Sequence, residues 1–181
     1  MELDIAHGDI KPENFLIEEA EQGVLNTSLA DFGSAVIKGQ RRLPTWTEPW
    51  NAPELQRLLQ EIDFDMMQQA DFYSVGLLCI HIMLPLEYLY NLNLCFFRRP
   101  EQTDHDWLQF LQDMENRKKA SEDPALSERL LEIVKTSPIP SQHRDILQVI
   151  VSSVIEPTAG HRYIPWSQIK IFLEEPNRYD I

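Results

Sequence analysis

From Phe72 to Leu84 the chain is almost wholly apolar, and Pro85 then stops any helix it forms. A helix that is apolar on every side has no face for water. It must lie inside a core, with other elements packed around it. The sequence therefore predicts a buried helix over 69–84, and the rest of the chain has to cover it. The wider run to Tyr90 contains His81, Pro85 and Glu87. Its clean part falls short of the roughly 20 residues a membrane span needs, so no membrane span is expected. At 181 residues, 43% of them hydrophobic, the chain is expected to form one domain with a sizeable core.

Around this helix the pattern is mainly helical. Asn14-Phe15-Leu16-Ile17 and Ser28-Leu29-Ala30 are short apolar runs flanking 18–27, which carries Gly23 and Asn26; they read as a β-hairpin with a longish loop. Residues 34–51 are polar, with Gly39, Pro44 and Pro49, and read as a loop. A short helix is predicted over 53–61, with Pro53 suited to its first turn. Residues 87–97 are apolar and aromatic, with a helical reading open. Trp107, Leu108, Phe110, Leu111 and Met114 mark an amphipathic helix over 106–119. Another, over 125–135, has Leu126, Leu130, Leu131 and Val134 on one face. After the break at Pro138 and Pro140 a helix over 144–155 offers Ile146, Leu147, Val149, Ile150 and Val154 to the core, and a last helix spans 165–173. There is no internal repeat and no linker.

The chemistry lies in the octet His7-Gly8-Asp9-Ile10-Lys11-Pro12-Glu13-Asn14. A carboxylate such as Asp9 can accept a hydroxyl proton, the Lys11 ammonium can neutralise a phosphate, and the Asn14 side-chain oxygen can ligate Mg²⁺. Phosphoryl transfer needs little covalent help from a protein; it needs positioning and charge stabilisation around a phosphate and its metal. The predicted hairpin places Asn14 and Asp31 at its two outer ends, side by side. Hard Mg²⁺ prefers oxygen ligands and keeps several waters, so one amide and one carboxylate with phosphate oxygens suffice.

The octet is followed in order by Asp31-Phe32-Gly33, Ala52-Pro53-Glu54, the stretch from Asp71 to Gly76, and Glu156-Pro157 with Arg162. In this order the motifs resemble the eukaryotic protein kinases, Ser/Thr type, from His7 to about Leu173. The string around the octet with Pro49-Trp50-Asn51-Ala52-Pro53-Glu54 also resembles kinase-like proteins of filamentous fungi. The resemblance implies ATP and Mg²⁺ as cofactors and a protein Ser/Thr hydroxyl as acceptor. It implies Asp9 as catalytic base or hydroxyl orienter and Lys11 on the transferred phosphate. Asn14 and Asp31 would hold the metal, and Leu16 would lie on the adenine ring with Leu78 and Ile82 beneath it. Thr47 would face the substrate near the base, although Trp46 replaces the usual Gly before it, and an ordinary loop Thr stands equally beside that reading. Structural roles are implied for His7, Phe32 and Asp71 as an aligned stack, for Gly33 as backbone freedom after the metal Asp, and for Glu54 and Arg162 as a buried ion pair. Each lone residue has a plainer reading: a turn Asp, a solvated Lys, capping groups at a hairpin's ends, core leucines.

Gly8 stands where most regulated members carry an Arg that pairs with a phosphorylated activation-loop residue. Phosphorylation at Thr45 or Thr47 is therefore not expected to be the on-switch. The family's Gly-rich loop and its strand Lys have no counterpart among the six glycines and their surroundings. The expected fold is a mainly α, kinase-like C-terminal lobe with a small β-hairpin at the catalytic loop and the N-terminal lobe missing. The whole of 1–181 reads as this partial domain, with 87–140 as a family-specific insertion, and as a fragment or truncated product. An inactive product or a pseudokinase-like interaction module using 87–140 is the alternative to an enzyme.

A net charge of −13 and a pI near 4.7 argue against nucleic acid and anionic membranes as partners, since both need a basic face. Cys79 and Cys95 are the only cysteines and give no disulfide framework. With no signal peptide legible after Met1, an intracellular and cytoplasmic location is expected, the nucleus remaining open. The five histidines show no zinc-ligand spacing. No oligomeric state is legible.

Overall fold

The protein is described by a computed structural model covering residues 4–19, 25–45, 47, 49–92, 102–120, 125–155 and 160–174. Trp46, Cys95, Glu156 and Pro157 lie outside the described residues, as do parts of the 87–140 stretch. Among the described residues the fold is largely helical, with three two-stranded antiparallel sheets.

The core helix α1 runs over Phe64–Met83, five residues earlier than the apolar run alone predicts. The reason is a cap: the Asp63 side chain accepts the Met66 N–H at 3.1 Å, satisfying a first-turn donor. Its end agrees with the sequence, since Leu84 precedes Pro85 in extended conformation. Met67, Ala70, Tyr73, Leu77, Leu78 and Ile80 are buried along it. Helix α1 packs against α5 (Ser141–Val154), and α5 in turn against α4 (Ala125–Thr136) and α6 (Trp166–Glu174). At Gly76 the approach is so close that an added Cβ would clash with Val154 Cγ2. Helix α5 buries Ile146, Leu147, Ile150 and Val154 as predicted. Val151 joins them, and Val149 is only half-buried.

Two further helices precede α4. Helix α2 (Leu86–Asn91) is short, and α3 (Asp104–Ala120) forms where the periodicity predicts. Leu108 is nonetheless exposed, and Trp107 and Phe110 stack on each other with centroids 5.2 Å apart. The predicted helix over 53–61 is a shorter 3-10 helix, Pro53–Arg57, with Pro53 in its first turn. Among the described residues, no helix is long and apolar enough to cross a membrane.

Strands account for the remaining differences. The hairpin strands β2 (Phe15–Glu19) and β3 (Leu25–Leu29) reach further than the apolar runs, with Phe15 opposite Leu29 and Glu19 opposite Leu25. Backbone pairing carries the polar residues Glu18, Asn26 and Thr27 into an exposed ribbon that hydrophobicity cannot signal. The predicted 34–51 loop contains β4 (Val36–Ile37), paired with β1 (Ile5–Ala6), and β5 (Arg41–Arg42), paired with β6 (Ile62–Asp63). These strands of two residues each exist through partners distant in sequence, which no local pattern reveals.

Candidate active site

Between β1 and β2 the chain turns through the octet and a 3-10 helix, Pro12–Asn14, whose first position is set by Pro12. This turn folds Asn14 back over Asp9. The Asn14 amide nitrogen donates to the Asp9 carbonyl at 2.7 Å and to its carboxylate at 3.2 Å. Lys11 Nζ reaches the same carboxylate at 2.7 Å. From across the chain the Thr47 hydroxyl donates to Asp9 Oδ1 at 2.7 Å and accepts from Lys11 Nζ at 3.1 Å. Asp9, Lys11, Asn14 and Thr47 thus form one closed cluster. Burial raises the affinity of Asp9 for its proton. Hydrogen bonds from Lys11, Thr47 and Asn14, with the Lys11 charge, outweigh it and hold the carboxyl below its ordinary value.

The hairpin brings Asn14 and Asp31 to its open end. The Ala30 N–H donates to the Asn14 carbonyl at 2.8 Å, one step beyond the Phe15–Leu29 pair. Asp31 follows with φ 59°, in the left-handed region. The left-handed backbone falls on Asp31, and Gly33 is not among the glycines with positive φ. Gly33 provides room instead: its N–H donates to Asp31 Oδ1 at 3.2 Å, and a Cβ there would lie 2.9 Å from that oxygen. The amide nitrogen of Asn14 is committed to Asp9, which leaves its side-chain oxygen as the group's remaining acceptor. Asp31 offers an exposed carboxylate. An amide oxygen and a carboxylate at one hairpin end suit a hard divalent ion with several remaining waters. Among the described residues, no group of three His, Cys, Asp or Glu could hold a metal.

Beneath the cluster, buried Asp71 on α1 accepts the backbone N–H of His7 at 2.6 Å and of Gly8 at 2.9 Å. Burial pushes its carboxyl up to about 6, against the pull of those two N–H bonds. His7 Nε2 lies 2.8 Å from the Ala30 carbonyl, which can only accept, so Nε2 carries the proton. Nδ1 then accepts the Asp9 N–H at 3.3 Å. The His7 ring meets Phe32 edge-on, centroids 4.9 Å apart. One imidazole therefore links Asp9, the strand leading to Asp31, and Phe32.

Gly8 has φ 77°, and a Cβ would lie 2.5 Å from the Ser34 carbonyl oxygen. The loop is thus docked directly on the segment after Asp31. Ser34 is further held through its hydroxyl, which accepts from Thr45 at 2.5 Å. At the far end of the segment, the Arg162 guanidinium forks onto both Glu54 carboxylate oxygens, the second at 3.1 Å. Of the residues assigned to the nucleotide, Leu78 is buried, whereas Leu16 and Ile82 are exposed. The plain core reading therefore holds for Leu78 alone.

Sequence reasoning missed Gln69. Its side-chain oxygen accepts the N–H of Gly160 at 3.1 Å and of Arg162 at 3.0 Å, and its carbonyl accepts Arg162 Nη1 at 3.2 Å. Nothing in its local sequence marks it, since a polar residue near the start of a helix is ordinary.

The largely helical fold with its small antiparallel sheets is compatible with a kinase-like domain, and the comparisons with known proteins give the family. Residues 2–146 match the family model of the protein kinase domain. The chain belongs to the protein kinase family. It is 34% identical over 89 residues to serine/threonine-protein kinase TAO3 of Pongo abelii, covering 49% of this chain and 9% of that protein. It is 35% identical over 89 residues to serine/threonine-protein kinase TAO1-A of Xenopus laevis, covering 49% and 8%. With serine/threonine-protein kinase Tao of Drosophila melanogaster it shares 36% over 87 residues, covering 48% and 8%. The matched stretch thus spans about half of this chain and less than a tenth of the length of these relatives.

Proposed function

We propose that this chain supplies the C-terminal-lobe share of a Ser/Thr protein kinase site, moving the γ-phosphoryl of ATP to a protein Ser or Thr hydroxyl. The observation that carries the proposal is the Asp9 cluster. Asp9 is ionised at neutral pH, largely shielded from water, and held in place by Lys11, Asn14 and Thr47. A carboxylate so placed can orient an acceptor hydroxyl and take its proton as the new P–O bond forms and the bond from the γ-phosphorus to the β-phosphate oxygen breaks, ADP leaving. Lys11, already beside Asp9, can exchange that contact for a phosphoryl oxygen and so offset the charge that builds up during transfer. Asn14 and Asp31 would hold Mg²⁺, and exposed Leu16 offers an apolar surface for the adenine. Mg²⁺ with ATP supplies the phosphoryl group and neutralises its oxygens. Thr47 shares its hydroxyl between Asp9 and Lys11, which fixes their spacing before substrate arrives. The Gly-rich loop and strand Lys are not among these 181 residues, so the proposal rests on the side chains named.

Phosphotransfer from ATP to a Ser/Thr peptide by the full-length protein, with Mg²⁺, tests this. Asp9→Asn is expected to lower the rate by ~10²–10⁴-fold while leaving the fold intact. An unchanged rate in that variant would remove Asp9 from the chemistry. No transfer by the native protein, with partner binding unaffected by Asp9→Asn, would favour an interaction module.

A further inference from the structure

Trp50 is fastened to the core helix at two points. Its carbonyl accepts the Ser74 hydroxyl at 2.9 Å. Its indole meets the His81 imidazole edge-on, with centroids 5.0 Å apart and planes at 68°. Ser74 and His81 lie about two turns apart on α1 and so share a face. All three residues are buried. The His81 ring is itself fixed: Nδ1 sits 2.7 Å from the Leu77 carbonyl one turn back and carries the proton there. An apolar side chain would fill this interior position without the desolvation cost of an imidazole, so mere filling does not explain the residue.

From Trp50 the linkage continues toward Asp9. The Trp50 N–H donates to the Thr47 carbonyl at 2.9 Å and closes a tight turn. The Thr47 hydroxyl, at the start of that turn, donates to Asp9 Oδ1 at 2.7 Å. Thr47 makes this contact from a segment joined to the octet by nothing local, so something distant must hold the turn in place. Helix α1 is a rigid element within reach, and the His81–Trp50–Ser74 clamp is one grip it has on the turn.

We infer that His81 is a positioning residue: by bracing the Trp50 indole it fixes the Thr47–Trp50 turn and thereby keeps the Thr47 hydroxyl on Asp9. The inference rests on the kinase reading only for what the Asp9 cluster does, not for how it is held.

The test is NMR of Thr47 in the full chain. Three-bond couplings report its χ1 rotamer, and a nuclear Overhauser effect between its side chain and the Asp9 β-protons reports the contact. In the native chain one rotamer and a clear Overhauser effect are expected. His81→Ala should average the couplings and abolish the Overhauser effect, with α5 amide shifts unchanged as proof of folding. His81→Phe, which keeps a ring against the indole, should restore both. Trp50→Leu is the second variant, for use if His81→Ala does not fold, and should release Thr47 in the same way. A single Thr47 rotamer retained in the folded His81→Ala chain, or in Trp50→Leu, overturns the inference. Phosphotransfer is not read at all. An inactive protein with Thr47 ordered through His81 would therefore sink the kinase reading and leave this one standing.

Discussion

Arg162 and Glu54 meet across 108 residues of chain, guanidinium to carboxylate in a two-pronged pair. The Arg162 side chain is fully buried, and Glu54 remains slightly exposed. Arg162 also lies 5.0 Å from the Tyr73 ring centre and bonds the Gln69 carbonyl. Removing one member leaves the other charged and desolvated. Arg162→Ala is expected to destabilise the fold by ~3–5 kcal/mol, measured by urea denaturation. A loss under about 1 kcal/mol would place the pair among solvent-screened surface bridges.

Asp71 makes stability depend on pH with a sign opposite to that of a salt-bridged carboxylate. Its folded value of about 6 stands above the ordinary 3.8. Between these values the folded chain holds a proton that the unfolded chain has released. Its contribution is therefore full below about pH 4 and is lost as pH rises through 6. Asp71→Asn cannot titrate. The native chain's stability relative to this variant is expected to fall by up to ~3 kcal/mol between pH 4 and 7. A constant difference across that range would show that the two N–H bonds from His7 and Gly8 keep Asp71 ionised throughout.

Gly76 sets the distance between α1 and α5. Gly76→Ala drives a Cβ into Val154 Cγ2 and to within 2.8 Å of Ile155 Cδ1. Helix propensity favours the alanine by about 1 kcal/mol, yet overpacking costs ~1–3 kcal/mol, so net destabilisation is expected. Adding Val154→Ala should recover part of the loss. Strict additivity of the two changes in thermal unfolding would contradict the contact.

Gly8 explains why an Arg is absent at this point of the octet. At φ 77°, with the Ser34 carbonyl 2.5 Å from any Cβ, the position excludes every side chain unless the Ser34 segment moves. Gly8→Ala is expected to cost ~1–3 kcal/mol in thermal or chemical unfolding. Activation by phosphate at Thr45 or Thr47 is not expected, since Thr45 already bonds Ser34 and Thr47 bonds Asp9 without it. A large rise in phosphotransfer on phosphorylating either threonine would refute this.

The sequence alone determined the elements whose cause is local. The apolar run and Pro85 determine α1 and its end. Amphipathic spacing determines α3, α4 and α5, and the octet brings Asp9, Lys11 and Asn14 within one turn of chain, because residues that close have few ways to be apart. Tertiary structure decided what depends on distant partners. It drew Thr47 onto Asp9 and put Asp31 in the left-handed region. It recruited Gln69 to hold Arg162 and braced Trp50 between Ser74 and His81. Each of these is a hydrogen bond or ring contact between segments whose encounter depends on the packed core, and neither member shows in its own neighbourhood what it will meet.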